Sequence, residues 1–233
     1  SWALEYVAWL AASTLIVYVL AIQIYRISLQ AWRKALLVLG LVLLLGSLAV
    51  LKYSGLVGDS LRALADRFDF GYTTPSWQFL LPVGISFFTF QAVGYLIDVY
   101  RAKIEPERHL GILYLFFSFF PQLVSGPIER AGDLIPQFKT ERALSTSALS
   151  GGLQLLLWGM FKKVVVADRL AVYVDAVYNQ PADQRGWPIL LATLFFAAQL
   201  YADFSGYMDI ARGVARVLGY DLAANFRRPY AAA

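Results

Sequence analysis

Residues 35–51 read ALLVLGLVLLLGSLAVL, and none of these side chains is charged. Crossing a hydrocarbon core about 30 Å thick takes roughly 20 apolar residues of α-helix, so a run of this length is typical of a transmembrane helix. A soluble amphipathic helix carries a polar face, and this run has none. The pattern therefore predicts that the segment crosses a membrane.

The composition of the whole chain agrees with a membrane protein. Of its 233 residues, 59% are hydrophobic and 15% are charged, which is more apolar than a soluble globular domain. The net charge of +4 comes from Lys and Arg in short clusters between apolar runs, a pattern typical of membrane-flanking charge and not of nucleic-acid binding. The chain has no cysteine, which excludes disulfides, thiolate metal sites and thioester exchange on a cysteine within it.

Uncharged runs of similar length recur and predict an all-α, polytopic membrane protein, with residues 1–233 forming one multi-pass domain. The predicted spans are residues 7–24, 35–51, 82–97, 110–125, 143–161 and 187–203, with a further helix at 207–218. The fourth span is predicted to be broken or re-entrant. Pro121 and Pro127 lack the backbone N–H that a helix needs, and Gly126 lies between them.

Several helix ends are also predicted. The fifth span is expected to end at Phe161, because Lys162 and Lys163 suit a helix C-terminus at a membrane surface. Gly219 is a candidate C-cap for the last helix. Residues 52–70 carry charges of both signs and are expected to form a loop.

Candidate site residues cluster where the fourth span breaks. Irregular backbone at membrane depth is tolerated only when it is buried in protein or lines a wet cavity. Ser125 and Gly126 are therefore candidates to offer backbone groups to a ligand. The alternative is an ordinary helix end at the interface, with Glu129 and Arg130 solvated.

Two aspartates form a second group of candidates. Asp203 and Asp209 lie at an apolar span, where ionisable groups are costly and therefore mark functional hypotheses. If residues 207–218 are helical, then Asp209, Arg212 and Arg216 share one face. That stripe is more simply interpreted as a self-paired, water-facing edge.

His109 is the only histidine of the chain, and histidine is the most frequent general base. It follows the charged turn at residues 105–108, so a solvated surface histidine is the preferred interpretation. No spacing identifies a Ser-His-Asp triad around it. The sequence also holds no phosphate-binding loop, dinucleotide fingerprint or metal-ligand cluster.

Three ordered stretches resemble the membrane-bound O-acyltransferase (MBOAT) family, in the bacterial branch that acetylates alginate and related exopolysaccharides. They are LPVGISFFTF at 81–90 with YLIDVYR at 95–101, then FFP at 119–121 through SGPIER at 125–130 to PQF at 136–138, and finally YADFSGYMDIA at 201–211 with GY at 219–220 and NFRRPY at 225–230. The resemblance covers roughly residues 80–230.

The resemblance implies a ring of helices around a tunnel in the bacterial inner membrane. An acyl group from a cytoplasmic donor, acetyl-CoA or another acyl thioester, would pass through it to an acceptor outside, with no bound cofactor and no metal. The implied partners are the lipid bilayer and a periplasmic or extracellular acetyltransferase or polysaccharide-synthesis complex. The positions expected to line the tunnel or substrate path are Ser125, Gly126, Pro127, Glu129, Arg130, Asp203, Ser205, Asp209 and Asn225.

The family's histidine base lies downstream of the Asn-Phe-x-x-Pro-Tyr stretch, which this chain reaches at residues 225–230. We therefore expect the chain to be the N-terminal, donor-tunnel half of a longer enzyme, an incomplete ring that is inactive alone. His109 matches neither family histidine, so no catalytic residue is assigned.

Two other functions account for broken helices and intramembrane acids. A secondary transporter has both features, but it also predicts an internal inverted repeat, which the sequence does not show. A non-catalytic membrane scaffold that docks a transferase is the other alternative.

Overall fold

All regular secondary structure in the described part of the chain is helical. The computed structural model describes residues 4–68, 84–123, 126–142, 145–180 and 184–225. Its helices are α1 (Leu4–Arg26), α2 (Gln30–Arg67), α3 (Ile85–Tyr100), α4 (Leu110–Ser118), α5 (Phe120–Leu123), α6 (Ala131–Phe138), α7 (Thr146–Met160), a π-helical segment (Phe161–Ala167), α8 (Asp168–Tyr178) and α9 (Trp187–Val217). The all-α prediction is confirmed for these residues.

The chain divides into two compact units. The first comprises Ser1–Phe119 and Arg130–Ile135, and the second comprises Phe120–Glu129 and Pro136–Ala233. The prediction that residues 1–233 form one multi-pass domain stays a prediction.

Among the described residues, three helices are long and apolar enough to cross a membrane: α1 from Tyr6, α2 and α9. The predicted spans 7–24, 35–51 and 187–203 fall within these helices. Helix α3 is apolar but shorter, and it covers residues 85–97 of the predicted span 82–97, of which residues 82–83 lie outside the described residues.

An aromatic core organises the first unit. Phe88 on α3 packs edge-to-face against Trp9 on α1 and against Phe117 on α4, with ring centroids 5.1 Å apart in both pairs. Tyr95 on α3 also meets Phe117, at 6.2 Å. Edge-to-face geometry aligns the positive ring edge with the negative ring face and adds to the gain from apolar burial. These contacts hold α1, α3 and α4 together.

Arg33, in the first turn of α2, joins the C-terminal ends of two helices. Its Nε donates to the carbonyl of Ile24 at 3.0 Å, and its Nη2 donates to the carbonyl of Tyr100 at 2.8 Å. The last four carbonyls of a helix have no intrahelical donor and carry partial negative charge. The Arg33 guanidinium supplies both hydrogen-bond donors and a positive charge to them.

Helix α2 corrects one predicted boundary. Residues 52–70 were expected to form a loop, yet α2 continues without a break from its apolar half to Arg67. The continuation contains no proline, and its Leu, Ala and Arg residues are good helix formers, so charge alone does not end the helix. At 1.5 Å per residue the 38-residue helix is about 57 Å long, well beyond a 30 Å hydrocarbon core.

The predicted fourth span, 110–125, contains a break. Helix α4 ends at Ser118, Phe119 is extended with φ −61° and ψ 101°, and the short α5 follows. Pro121 explains the break, since it has no N–H for the carbonyl of Phe117 and its ring would clash with that carbonyl in a continuous helix. Residues 124–125 lie outside the described residues.

In the second unit, α7, the π-helical segment and α8 form one continuous helical stretch. The expectation that a helix ends at Phe161 is therefore wrong. Residues 162–167 contain neither Gly nor Pro, so no local signal stops the helix. Instead of capping a helix end, Lys162 and Lys163 lie inside the π-helical segment.

Helix α9 corrects a second boundary, since 187–203 and 207–218 were predicted as separate helices. They form one 31-residue helix. Gly206 was interpreted as part of a break, but it lies where α9 contacts Gly159 of α7. The glycine permits a close helix contact there, and the helix passes through it unbroken.

The predicted C-cap at Gly219 is confirmed. Gly219 has a φ of +87°, its N–H donates to the carbonyl of Arg216, and the N–H of Tyr220 donates to the carbonyl of Ala215. These two hydrogen bonds form a Schellman motif, which needs a residue with positive φ. The chain therefore turns sharply after α9.

Candidate functional site

Two pairs of facing glycines set the geometry of the second unit. A Cβ built on Gly159 would lie 2.5 Å from the carbonyl oxygen of Gly206, and one built on Gly152 would lie 2.8 Å from that of Gly213. The earlier residue on α7 faces the later residue on α9, so the two helices are antiparallel. Their backbones approach closely enough for side chains beside the glycines to meet.

Asp209 lies at the centre of one ion-pair group beside this contact. Its Oδ2 is 2.6 Å from the Nζ of Lys162, and its Oδ1 is 3.5 Å from the Nη1 of Arg212, one turn further along α9. Asp209 and Lys162 are 15% and 18% exposed, so water screens this pair little. Arg212 also donates through Nε to the carbonyl of Leu222 at 3.3 Å, which connects the group to the segment after α9.

Asp203 forms the second group, on the other side of Gly206. Its Oδ1 is 2.7 Å from the Nζ of Lys163, which also lies 2.9 Å from Oδ1 of Asp168. The hydrogen bonds that Lys163 donates to Asp203 and then to Asp168 raise the pKa of Lys163, which lies beyond the predicted span 143–161. Lys163 therefore stays protonated, and this pair is about half exposed.

The π-helical segment places both lysines toward α9. Lys162 reaches Asp209 and Lys163 reaches Asp203, so neighbouring residues contact acids six positions apart. Segments with π-helical hydrogen bonding are rare and often mark functional sites. Three bases and three acids take part in the two groups, so the site carries no formal net charge.

A cavity of about 570 Å³ lies next to this site, between the α7-to-α8 stretch and α9. Its lining is almost entirely apolar, apart from Lys162 and the hydroxyl of Tyr201. The lining residues are Trp158, Phe161, Lys162, Val166, Leu194, Ala197, Ala198, Tyr201 and Ala202. The volume is in the range of small-molecule sites.

The segment after the helix break is held within the same unit. Gly126 is buried, and a Cβ there would lie 2.3 Å from Cα of Gln122, so only glycine fits this turn. Pro127 is buried as well. Glu129 is 6% exposed, and its Oε1 accepts a hydrogen bond from the backbone N–H of Ala223 at 2.5 Å.

The remaining predicted positions are placed as follows. Ser205 is buried on α9, and its Oγ has no hydrogen-bond partner among the described residues. Arg130 is exposed and belongs to the first unit, where its carbonyl accepts hydrogen bonds at the start of α6. Asn225 is exposed, and Ser125 lies outside the described residues.

His109 has a local structural role. Its side chain is exposed, and its Nδ1 accepts a hydrogen bond from the N–H of Ile112 at 3.3 Å, which caps the first turn of α4. In the described ranges, no group of three or more His, Asp and Glu residues is placed to hold a metal ion.

The sequence analysis missed the partners of the acidic residues. Lys162 and Lys163 were interpreted as a helix end, although acids in an apolar helix call for nearby bases and these lysines were available. Gln137 was also missed as a contact residue. It binds the backbone of Asp221, and backbone recognition leaves no signal in the partner's residue type.

Long apolar helices with acid–base pairs between them define an all-helical membrane protein. No family model matches the chain. The chain is 34% identical over 236 residues to the probable alginate O-acetylase AlgI of Azotobacter vinelandii, covering 98% of this chain and 46% of that protein. It is 30% identical over 258 residues to the peptidoglycan O-acetyltransferase of Helicobacter pylori, covering 99% of this chain and 48% of that protein.

A third relative is more distant. The teichoic acid D-alanyltransferase of Lacticaseibacillus rhamnosus is 25% identical over 161 residues, covering 64% of this chain and 39% of that protein. The chain spans about half the length of the curated relatives it matches. These relatives are members of the MBOAT-type family, which confirms the resemblance seen in the motifs of this chain.

Proposed function

We propose that the chain is part of a membrane-bound O-acyltransferase of the bacterial inner membrane. The enzyme moves an acetyl group from a cytoplasmic acyl thioester, such as acetyl-CoA, to a polysaccharide or to a periplasmic or extracellular acetylation partner. The observation that carries this proposal is the 34% identity over 98% of the chain to a protein named as an alginate O-acetylase. The names of the other relatives share the transfer of an acyl group to a cell-surface polymer.

We assign the activity to the complete protein and not to this chain alone, because the chain spans about half the length of those relatives. There, a histidine outside these residues would take the proton of an acceptor hydroxyl as its oxygen attacks the thioester carbonyl, and the C–S bond would break so that the donor leaves as a thiol with that proton. Polar groups in a low-dielectric tunnel formed by a multi-pass ring of helices would stabilise the charge that develops on that carbonyl oxygen. The enzyme needs no bound cofactor or metal for this chemistry.

The described residues would contribute a charged wall to that tunnel. Lys163 pairs with Asp203, and Lys162 pairs with Asp209, so each acid has a basic partner next to apolar helix surfaces. Asp203 is the more exposed of the two acids and is therefore the better placed to meet a passing substrate.

The test uses the complete protein in a bacterial strain that lacks its own polymer O-acetylation. Ester-linked acetate is released from the isolated polymer with mild alkali and quantified. We expect wild-type protein to add acetate and Asp203→Ala to lower it several-fold, with the same amount of protein in the membrane fraction. Asp175→Ala, which removes an exposed aspartate of α8, is the matched control and should leave acetate unchanged.

Each other outcome has a defined meaning. Wild-type protein that adds no acetate would contradict the acyltransferase, and solute uptake in proteoliposomes would then support a transporter. Normal acetate with Asp203→Ala would remove that residue from the substrate path. A stable partner in pull-down, with acetylation retained after Asp203 or Arg130 is replaced, would favour a scaffold.

A further inference from the structure

The segment that follows α9 is bound by a side-chain amide from an earlier part of the second unit. Gln137 donates through Nε2 to the carbonyl of Asp221 at 3.0 Å, and its Oε1 accepts from the N–H of Asp221, also at 3.0 Å. Both backbone groups of Asp221 are thereby paired, as a neighbouring β-strand would pair them. The amide recognises backbone, so it fixes the position of the chain there whatever the side chain.

Glu129 makes the second attachment, two residues further along. Its buried carboxylate accepts the N–H of Ala223 at 2.5 Å. A buried carboxyl oxygen requires such a donor, since an unpaired polar group is costly away from water. Glu129 therefore holds Ala223 firmly.

Two contacts extend this arrangement toward α9. The ring of Phe138 packs edge-to-face on Tyr220 with centroids 5.1 Å apart. Arg142 donates to Oε1 of Gln137 at 3.4 Å, and its Cβ would lie 3.3 Å from a Cβ on Gly219. Phe138, Gln137 and Glu129 thus contact residues 220, 221 and 223, and Arg142 lies beside Gly219. We call this arrangement around residues 219–223 the clasp.

We propose that Glu129 and Gln137 are positioning residues for acyl transfer, which they serve by fixing residues 219–223. This inference rests on the proposed function. Asn225, one of the candidate substrate-path residues, follows the clasp by two residues, so the clasp limits where its amide lies. Glu129 and Gln137 bind backbone in this structure, and they act on the reaction through the segment that they hold.

The experiment measures hydrogen exchange and acetyl transfer on the same preparations of the complete, detergent-solubilised protein. The variants are Glu129→Ala, Glu129→Gln and Gln137→Ala, with Gln180→Ala as the control at an exposed glutamine of the second unit. We expect Glu129→Ala and Gln137→Ala to speed exchange of the amides in residues 219–223 by about tenfold, which corresponds to losing roughly 1.4 kcal/mol. Acetyl transfer should fall in the same two variants.

Glu129→Gln separates positioning from charge. An amide oxygen can still accept the N–H of Ala223, so this variant should keep most of the protection from exchange and most of the transfer. Gln180→Ala should match wild-type protein in both measurements. The helices outside residues 219–223 should exchange at wild-type rates in every variant, which excludes general unfolding.

The outcomes distinguish this inference from the proposed function. Unchanged exchange in Glu129→Ala and Gln137→Ala, with active wild-type protein, would refute the clasp. Faster exchange with normal transfer would make the clasp structural only and would overturn the positioning role. Wild-type protein without transfer would overturn the proposed function, and with it the positioning role, whatever the exchange rates are.

Discussion

Gly159 on α7 and Gly206 on α9 face each other so closely that each excludes a side chain on the other. A Cβ on Gly159 would lie 2.5 Å from the carbonyl oxygen of Gly206, and one on Gly206 would lie 2.8 Å from that of Gly159. Gly152 and Gly213 repeat this relationship seven residues away on each helix. In lipid, where apolar burial gives no driving force, close backbone packing of small residues holds helices together.

Gly159→Ala should destabilise the protein because the added methyl group has no space beside the carbonyl of Gly206. Overpacking of this kind costs about 1–3 kcal/mol, or roughly 2–4 °C of melting temperature for each kcal/mol in a protein of this size. Thermal unfolding in detergent measures the change. Gly46→Ala is the control, since no atom of the described residues outside its own helix backbone lies within 4 Å of a Cβ built there and alanine favours helix. A Gly159→Ala melting temperature equal to that of Gly46→Ala would contradict the packing argument.

The two ion-pair groups should differ in their contribution to stability. Asp203→Ala removes a half-exposed pair and leaves Lys163 with Asp168, so we expect a loss of at most about 1 kcal/mol. Asp209→Ala leaves the mostly buried Lys162 without its nearest carboxylate, so we expect a larger loss, on the order of 2–4 kcal/mol. Melting temperatures of the two variants in the same detergent measure the difference.

A double replacement tests the cause of that difference. Removing both charges, with Lys162→Met and Asp209→Leu together, should recover part of the stability lost in Asp209→Ala, because Lys162 no longer leaves an uncompensated charge and Arg212 keeps its hydrogen bond to the carbonyl of Leu222. If Asp209→Ala is no less stable than Asp203→Ala, the pair contributes little. If the double variant is as unstable as Asp209→Ala, the loss comes from packing and not from charge.

Hydropathy was enough to predict where the long helices lie. In lipid, a single apolar run of spanning length can hydrogen-bond its backbone N–H and C=O groups internally only as a helix. The runs inside α1, α2 and α9 were therefore predicted to be helical. The same reasoning located the break near Pro121, since a missing N–H is a property of one residue and needs no knowledge of its partners. These features depend only on local sequence.

Helix ends were predicted less well, because their causes lie far away in the chain. Lys162 was interpreted as a helix end, yet its partner Asp209 is 47 residues further on. Gly206 was interpreted as part of a break, although its role is to admit Gly159. A lysine and a glycine each have two ordinary roles in a helix, and the tertiary partner decides between them.

The candidate site shows the same division. Asp203 and Asp209 were identified because a carboxylate in an apolar helix is costly and therefore conspicuous. Gln137 lies in the PQF motif at 136–138, but the motif did not indicate its partner, which is the backbone of Asp221. The family motif identified Glu129 as a candidate site residue, but its contact with Ala223 could be seen only in the structure.

Gly219→Ala should weaken the end of α9. The φ of +87° at this position is open to glycine but costs other residues about 1–2 kcal/mol, and an added Cβ would also crowd Arg142. Asparagine tolerates the left-handed region better, so Gly219→Asn should lose less. Hydrogen exchange of the Tyr220 amide, which closes the Schellman motif, measures the effect locally. Equal exchange in the alanine, asparagine and wild-type proteins would show that the cap contributes nothing.

Arg33→Lys should destabilise the first unit even though it conserves the charge. The guanidinium donates from two different nitrogens to the carbonyls of Ile24 and Tyr100, at the ends of two helices. A lysine ammonium is a single point of charge and cannot reproduce the planar fork that spans both carbonyls. Losing one hydrogen bond from a charged donor costs roughly 1–2 kcal/mol here.

The control for that substitution is Arg26→Lys, at an exposed arginine in the last turn of α1. We expect no measurable change in melting temperature there, because an exposed cation near a helix end retains its favourable interaction with the helix dipole in either form. Arg33→Ala should lose more stability than Arg33→Lys, since it also removes the remaining hydrogen bond and the stacking on the Tyr100 ring. If Arg33→Lys has the same melting temperature as Arg26→Lys, one carbonyl contact is sufficient, and the fork geometry does not hold the ends of α1 and α3 together.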